Sequence, residues 1–131
     1  MSQRVLIVDD EPNIVISLEF LLKREGFTVS VARDGEEGLA AIRAQRPALV
    51  VLDVMMPKLD GFAVLHAVRS DPELAGTRIL MLTAKGRQAE QTKGLTLGAD
   101  AYMPKPFSTH QLIAKALELL NTDAAAAPGG N

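Results

Sequence analysis

The 131-residue chain contains no cysteine. Disulfides, thiolate metal sites and cysteine nucleophiles are therefore excluded. Histidine is nearly as scarce. Only His66 and His110 offer an imidazole, and they lie far apart in the sequence. A zinc site or a histidine-based triad is not expected from such a pair. Charge of one sign is lacking too: the formal net charge is -2, and no run of Lys or Arg appears. Nucleic acid as a direct ligand would want a basic face, so it has no electrostatic case here. No apolar run approaches the ~18 residues that a membrane-spanning helix needs. The N-terminus passes straight into Arg4-Val5-Leu6-Ile7-Val8 with no signal-peptide layout. The expected location is the cytoplasm, away from membranes.

What is present is an ordinary globular composition, 47% apolar and 23% charged, in a chain long enough for one domain with one substantial core. Three short runs are almost wholly apolar: Val5-Leu6-Ile7-Val8, Ala48-Leu49-Val50-Val51-Leu52 and Ile79-Leu80-Met81-Leu82. Continuous rather than alternating hydrophobicity predicts strands covered on both faces, as in a parallel sheet. Phe27 to Ala32 alternates and reads as an edge strand with one wet face. Ala101-Tyr102-Met103 is a weaker strand candidate.

Helical spacing fills the gaps. Ile14, Leu18, Leu21 and Leu22 define a first helix that stops at Gly26. Asp34 is the expected N-cap of a second helix, with Leu39 and Ile42 inward and Pro47 beyond its end. A third starts near Asp60 and places Phe62, Leu65 and Val68 on one stripe. Residues 86–97 form a weaker helix carrying Gly94. The last begins at Ser108 and turns Leu112, Ile113, Ala116, Leu117 and Leu120 inward. Strand followed by helix, five times over, predicts a three-layer α/β sandwich with a parallel sheet. Residues 1–121 form the expected domain, and 122–131, without periodicity, a flexible tail.

In open parallel sheets, ligands bind beyond the carboxyl ends of the strands. Asp9, Asp10, Asp53, Thr83 and Lys105 each follow directly on a predicted strand. Three carboxylates in one crevice require a cation or protons, and all-oxygen ligation suits magnesium better than zinc or copper. A lysine ammonium and a threonine hydroxyl can bind phosphoryl oxygens. A carboxylate can attack phosphorus to give an acyl phosphate. These residue types fit phosphoryl transfer onto an aspartate.

Val8-Asp9-Asp10-Glu11-Pro12, Leu52-Asp53-Val54-Met55-Met56-Pro57, Asp60-Gly61, Leu82-Thr83-Ala84 and the stretch from Gly98 to Phe107 resemble the receiver domain of two-component response regulators. The resemblance spans roughly residues 4 to 120, with all five elements in order and in register. It implies a flavodoxin-like (βα)5 topology with strand order 2-1-3-4-5. It implies Asp53 as phosphoacceptor and Mg2+ (Mn2+ able to substitute) held by Asp9, Asp10, Asp53 and the Met55 backbone carbonyl. Lys105 would bridge to the phosphoryl oxygens, Thr83 would hydrogen-bond to one, and Tyr102 matches the aromatic switch position. A cis peptide is implied at Lys105–Pro106. The implied donor is a sensor histidine kinase or a histidine phosphotransfer protein. Phosphorylation adds about −1.5 to −2 charge beside Thr83 and Lys105. Thr83 would be drawn in and Tyr102 would rotate, remodelling the surface of the fourth helix, fifth strand and fifth helix for a downstream protein.

Each residue also has a plainer reading. Asp9 and Asp10 can cap the first helix, Thr83 can be a turn residue, Lys105 a solvated lysine and Tyr102 a half-buried strand tyrosine. Gly61 and Pro57 shape a loop. Met55 and Lys85 flank the path of an attacking water, and the bulk of Met55 points to slow hydrolysis. His66, His110, Arg87 and Lys93 read as surface residues. The favoured reading is a monomeric, stand-alone regulator, a signalling domain rather than an enzyme. The runner-up is the N-terminal receiver of a longer DNA-binding regulator that dimerises when phosphorylated. Glu90, Lys93, Asp100 and Lys115 are candidates for its charged pairs, with Ala89, Gln91 and Ala101 thinning the pattern. Two further classes are a pseudo-receiver that is never phosphorylated and an aspartyl-phosphate phosphatase. The phosphatase wants a second aspartate two residues after the nucleophile, where Met55 stands.

Overall fold

The short doubly apolar runs become the centre of a parallel sheet. The computed structural model describes residues 3–56, 58–84 and 88–125. Its strands are β1 (Arg4–Val8), β2 (Thr28–Ala32), β3 (Leu49–Asp53), β4 (Arg78–Ala84) and β5 (Ala101–Lys105). They alternate with α1 (Pro12–Arg24), α2 (Gly35–Gln45), α3 (Gly61–Arg69), α4 (Gln88–Leu97) and α5 (Thr109–Ala125). All pairings are parallel, in the order β2-β1-β3-β4-β5. This is the flavodoxin-like sandwich, and both weak strand candidates lie at its edges.

Successive residues of a strand point to opposite faces. Leu6, Val8, Val50, Leu52, Ile79 and Met81 fill one core together with Ile42 of α2 and Val64, Leu65 and Val68 of α3. Val5, Ile7, Leu49, Val51, Leu80 and Leu82 fill the other, against Val15, Leu18 and Leu22 of α1 and Leu112, Ala116, Leu119 and Leu120 of α5. Burial on both faces is why these strands show no polar alternation.

The helix starts are capped as their sequences suggest. Asp34 accepts from the Glu37 N–H at 2.8 Å and Asp60 from the Ala63 N–H at 2.9 Å, each satisfying a donor at a helix terminus. Gly26, after α1, has φ +96, a conformation that costs glycine little. α2 ends one residue before Arg46, which takes a left-handed conformation ahead of Pro47. Ser108 Oγ accepts from the Gln111 N–H at 3.4 Å at the start of α5.

Several details differ from the sequence pattern. β2 lacks a clean wet face: Val29, Ser30 and Val31 are all half-buried. Val15 is the fully buried residue that the first helix stripe lacks, and Ile14 and Leu21 are only half-buried. A short 3-10 helix at Pro72–Leu74, with Leu74 buried, follows α3. α5 runs to Ala125, past the Asn121 boundary. The expectations for Pro57, Lys85, Arg87 and the tail from residue 126 lie outside the described residues, as do those for the side chains of Ala89, Glu90, Gln91, Gly94 and Asn121 to Ala125. Among the described residues no helix is long and apolar enough to cross a membrane.

Candidate functional site

Asp9, Asp10, Asp53, Thr83 and Lys105 meet at the carboxyl edge of the sheet. Asp53, Thr83 and Lys105 are strand residues themselves rather than the residues just after strands. Asp53 closes β3, and its register partner is Leu82, so Thr83 stands one residue beyond it on the neighbouring strand. Lys105 closes β5 opposite Ala84. The apolar runs of β3 and β4 hold Asp53 and Thr83 in place from below, whereas β5, which carries Lys105, is only half-buried.

Asp9 is fully buried, Asp53 is nearly so, and Asp10 is exposed. One carboxylate oxygen from each of the three lies within 4.8 Å of the others. Lys105 Nζ reaches over them, 3.3 Å from Asp53 Oδ1, 3.3 Å from Asp9 Oδ2 and 2.8 Å from Glu11 Oε1. The Glu11 N–H donates to Asp9 Oδ1 at 2.9 Å, and the Met55 N–H to Asp53 Oδ1 at 3.4 Å. Two buried oxygens lack a well-aligned hydrogen bond among the described residues: Thr83 Oγ1 has no partner, and Asp9 Oδ2 has only the 3.3 Å ion pair with Lys105. Buried polar atoms normally find one, and here both belong to the same edge.

Burial and charge together explain the titration of the cluster. Burial, and then the neighbouring Asp9 charge, push the Asp53 carboxyl up to about 6, against the pull of Lys105. Burial raises Asp9 as well, opposed by the Glu11 N–H and Lys105. Burial works to lower Lys105, but the hydrogen bond to Glu11 and the charges of Asp53 and Asp9 outweigh it, so its ammonium is held above the usual lysine range. One ammonium does not neutralise three carboxylates. A hard divalent cation would, and the all-oxygen donor set of Asp9, Asp10 and Asp53 fits magnesium.

Asp53 opens onto a cavity of about 510 Å³ lined by Glu11, Ile14, Met55, Lys105, Pro106 and Phe107. The Met55 side chain is largely exposed at its rim. The Lys105–Pro106 peptide is cis. Tyr102 is half-buried and packs against the core under α2, α3 and α4. Gly61 lies hard against the acceptor strand: a Cβ there would fall 2.4 Å from the Asp53 carbonyl oxygen.

Two contacts leave no trace in the residue pattern. Glu11 was legible only as part of the motif from Val8 to Pro12, yet it makes the shortest contact to Lys105, 94 residues away. Arg69, at the end of α3, donates to the Gly98 carbonyl at 2.8 Å and to Asp100 Oδ2 at 2.7 Å. Asp100 also lies 3.7 Å from Arg78 and accepts from the Ile79 N–H. Lys115 pairs with Glu118 on its own helix, and Lys93 lies 4.5 Å from the Phe62 ring centroid. Three of the four residues considered for intermolecular pairs are thus engaged within the chain.

A 2-1-3-4-5 parallel sandwich with a buried acidic cluster at its carboxyl edge is the layout of a signalling receiver. The family model of the response regulator receiver domain matches residues 5–117, and the chain belongs to that family, a signalling domain of two-component systems. It is 44% identical over 128 residues to the alkaline phosphatase synthesis transcriptional regulatory protein PhoP of Bacillus subtilis, covering 98% of this chain and 52% of that protein. The chain thus spans about half the length of this curated relative. Among solved structures, the receiver domain of a Francisella response regulator superposes with TM-score 0.86 at 31% identity, covering 93% of this chain and 99% of that one. The receiver domain of a sensor histidine kinase from Pseudomonas aeruginosa PAO1, described with a magnesium ion coordinated in its active-site cleft, gives TM-score 0.83 at 26% identity, covering 92% and 99%.

Proposed function

We propose that the chain takes a phosphoryl group on Asp53 from a phosphohistidine donor, with Mg2+, and changes its α4-β5-α5 surface in response. The observation that carries this reading is the Asp53 carboxylate itself. It is buried except toward one cavity, grouped with Asp9 and Asp10, and 3.3 Å from the Lys105 ammonium.

Asp9, Asp10, Asp53 and the Met55 carbonyl would hold the cation, and Mn2+ would substitute. When bound, magnesium supplies charge neutralisation for the carboxylates and the transferring oxygens. An Asp53 oxygen attacks phosphorus as the donor P–N bond breaks, giving an acyl phosphate. Lys105 exchanges carboxylate contacts for phosphoryl oxygens, and the unpartnered Thr83 hydroxyl donates to one of them. The new bond to Thr83 opens space for Tyr102, which shares its face of the sheet. Met55, at the cavity rim, shields the acyl phosphate from water, so the only turnover is the domain's own slow dephosphorylation. The domain works in the cytoplasm with a histidine kinase or phosphotransfer protein, as a monomer when unmodified. The intramolecular partners of Asp100, Lys115 and Lys93 weigh against a dimer through their charges.

A second reading concerns the setting. The PhoP relative is about twice as long and is a transcriptional regulator. That favours this domain being the receiver part of a DNA-binding regulator over a stand-alone protein.

Intact mass after incubation with magnesium and acetyl phosphate tests the acceptor. A magnesium-dependent gain of one phosphoryl group in wild type and none in Asp53→Asn is the expected result. No gain from acetyl phosphate or from a panel of histidine kinases would leave a pseudo-receiver.

A further inference from the structure

We propose that Glu11 sets which phosphoryl donors the site accepts, favouring a phosphorylated imidazole over an acyl phosphate; the inference rests on Asp53 being the acceptor. Glu11 is the N-cap residue of α1, a place where a short polar side chain usually accepts from a helix N–H. Among the described residues its side chain makes no such bond. It turns instead to Lys105, which donates to Oε1 at 2.8 Å, closer than the 3.3 Å contacts to Asp9 and Asp53. The same carboxylate lines the cavity onto which Asp53 opens, where Ile14, Met55, Pro106 and Phe107 are uncharged. A donor reaching Asp53 therefore passes a negative group that already holds the phosphoryl-binding cation.

The two donor classes meet this charge differently. In a phosphorylated imidazole the ring carries a proton on its other nitrogen and enters as a partial cation, which Glu11 attracts. As the Asp53 oxygen bonds to phosphorus, the P–N electron pair stays on nitrogen and neutral imidazole leaves. In acetyl phosphate the P–O pair stays on oxygen and acetate leaves, so negative charge grows beside Glu11. Like charges in a partly desolvated cleft repel, and a charge at the rim of a binding site acts mainly on rates and on their salt dependence.

The test compares rate constants for Asp53 modification by monophosphoimidazole and by acetyl phosphate, at saturating magnesium for each variant. In Glu11→Gln the ratio of the acetyl phosphate rate to the monophosphoimidazole rate should rise about threefold. In Glu11→Asp, which keeps the charge, the ratio should stay near that of wild type. The gap between wild type and Glu11→Gln should narrow in high salt. Glu11 is more than half exposed, so both variants retain the fold. An unchanged or lower ratio in Glu11→Gln, or an equal rise in Glu11→Asp, would overturn the role of Glu11 alone. Modification that persists in Asp53→Asn, or that neither donor produces in wild type, would overturn the acceptor assignment and this inference with it.

Discussion

Tyr102 lies two residues below Thr83 on the adjacent strand and on the same face of the sheet, because Met81 pairs with Tyr102 and Thr83 with Pro104. That face is the one covered by α2, α3 and α4, against whose core Tyr102 packs. A shift of the Thr83 side chain toward Asp53 would therefore be felt at Tyr102 through direct neighbours.

Thr83→Ala is expected to leave Asp53 open to phosphorylation while the response at Tyr102 and α4 disappears. Amide spectra with and without beryllofluoride, a phosphoryl mimic, report the response, and mass reports the modification. A variant that shows the full wild-type shift pattern would refute the coupling through Thr83.

The raised Asp53 carboxyl makes a pH prediction. Its folded-state value of about 6 exceeds the ordinary 3.8, so the folded chain binds this proton more tightly than the unfolded chain does. The resulting stabilisation is complete below the ordinary value and is lost as pH rises through about 6. Relative to Asp53→Asn, the metal-free wild type should lose on the order of 2 kcal/mol between about pH 4 and pH 7. Thermal melts across this range, with and without magnesium, would show it. Magnesium should restore stability near neutral pH and bind more weakly as pH falls through about 6, because protons and cation compete for Asp53. Parallel pH curves for the two proteins would mean that the Asp53 carboxyl is not raised.

Gly61→Ala should disturb the acceptor strand from behind. The added Cβ would meet the Asp53 carbonyl oxygen at 2.4 Å and the Val54 Cα at 2.9 Å, backbone atoms that have little room to move. A cost of about 1–3 kcal/mol is expected, as for other overpacked sites, together with weaker magnesium binding. Urea denaturation and calorimetric titration measure the two effects. Wild-type values for both would show that the turn yields freely.

Asp100→Ala removes the acceptor shared by Arg69 and the Ile79 N–H. A partly buried guanidinium then keeps only the Gly98 carbonyl, and a strand N–H loses its side-chain acceptor, at a cost of about 2–4 kcal/mol in urea denaturation. Asp100→Asn retains an acceptor oxygen and should cost less. If both variants unfold at the same urea concentration as wild type, the contact adds nothing to stability.

The strands and the acceptor edge were readable because local pattern determines them. Val5 to Val8 and Ala48 to Leu52, short and continuously apolar, read as strands buried on both faces, and a polar residue at the end of such a run is held at the sheet edge. The details that escaped depend on distant partners or on fine angular placement. Val15 and Leu119 border the stripes read from spacing, and a small rotation of each helix is what buries them. The Arg69–Asp100 contact joins residues 31 apart and leaves no periodic trace. Lys105 could be placed by its motif, but its closest partner could not. Any of several nearby carboxylates would have been an equally good guess for that contact.

Lys105 belongs to β5, the last strand of the sheet to be made, whereas the three carboxylates come from β3 and the loop after β1. On the ribosome, N-terminal segments emerge first, so the acidic trio exists in the nascent chain well before its ammonium partner. Until β5 docks at the sheet edge, those carboxylates have only metal ions or protons to offset their repulsion. Free magnesium during synthesis would thus favour early docking of β1 against β3, and the completed site becomes a marker that the final strand is in place.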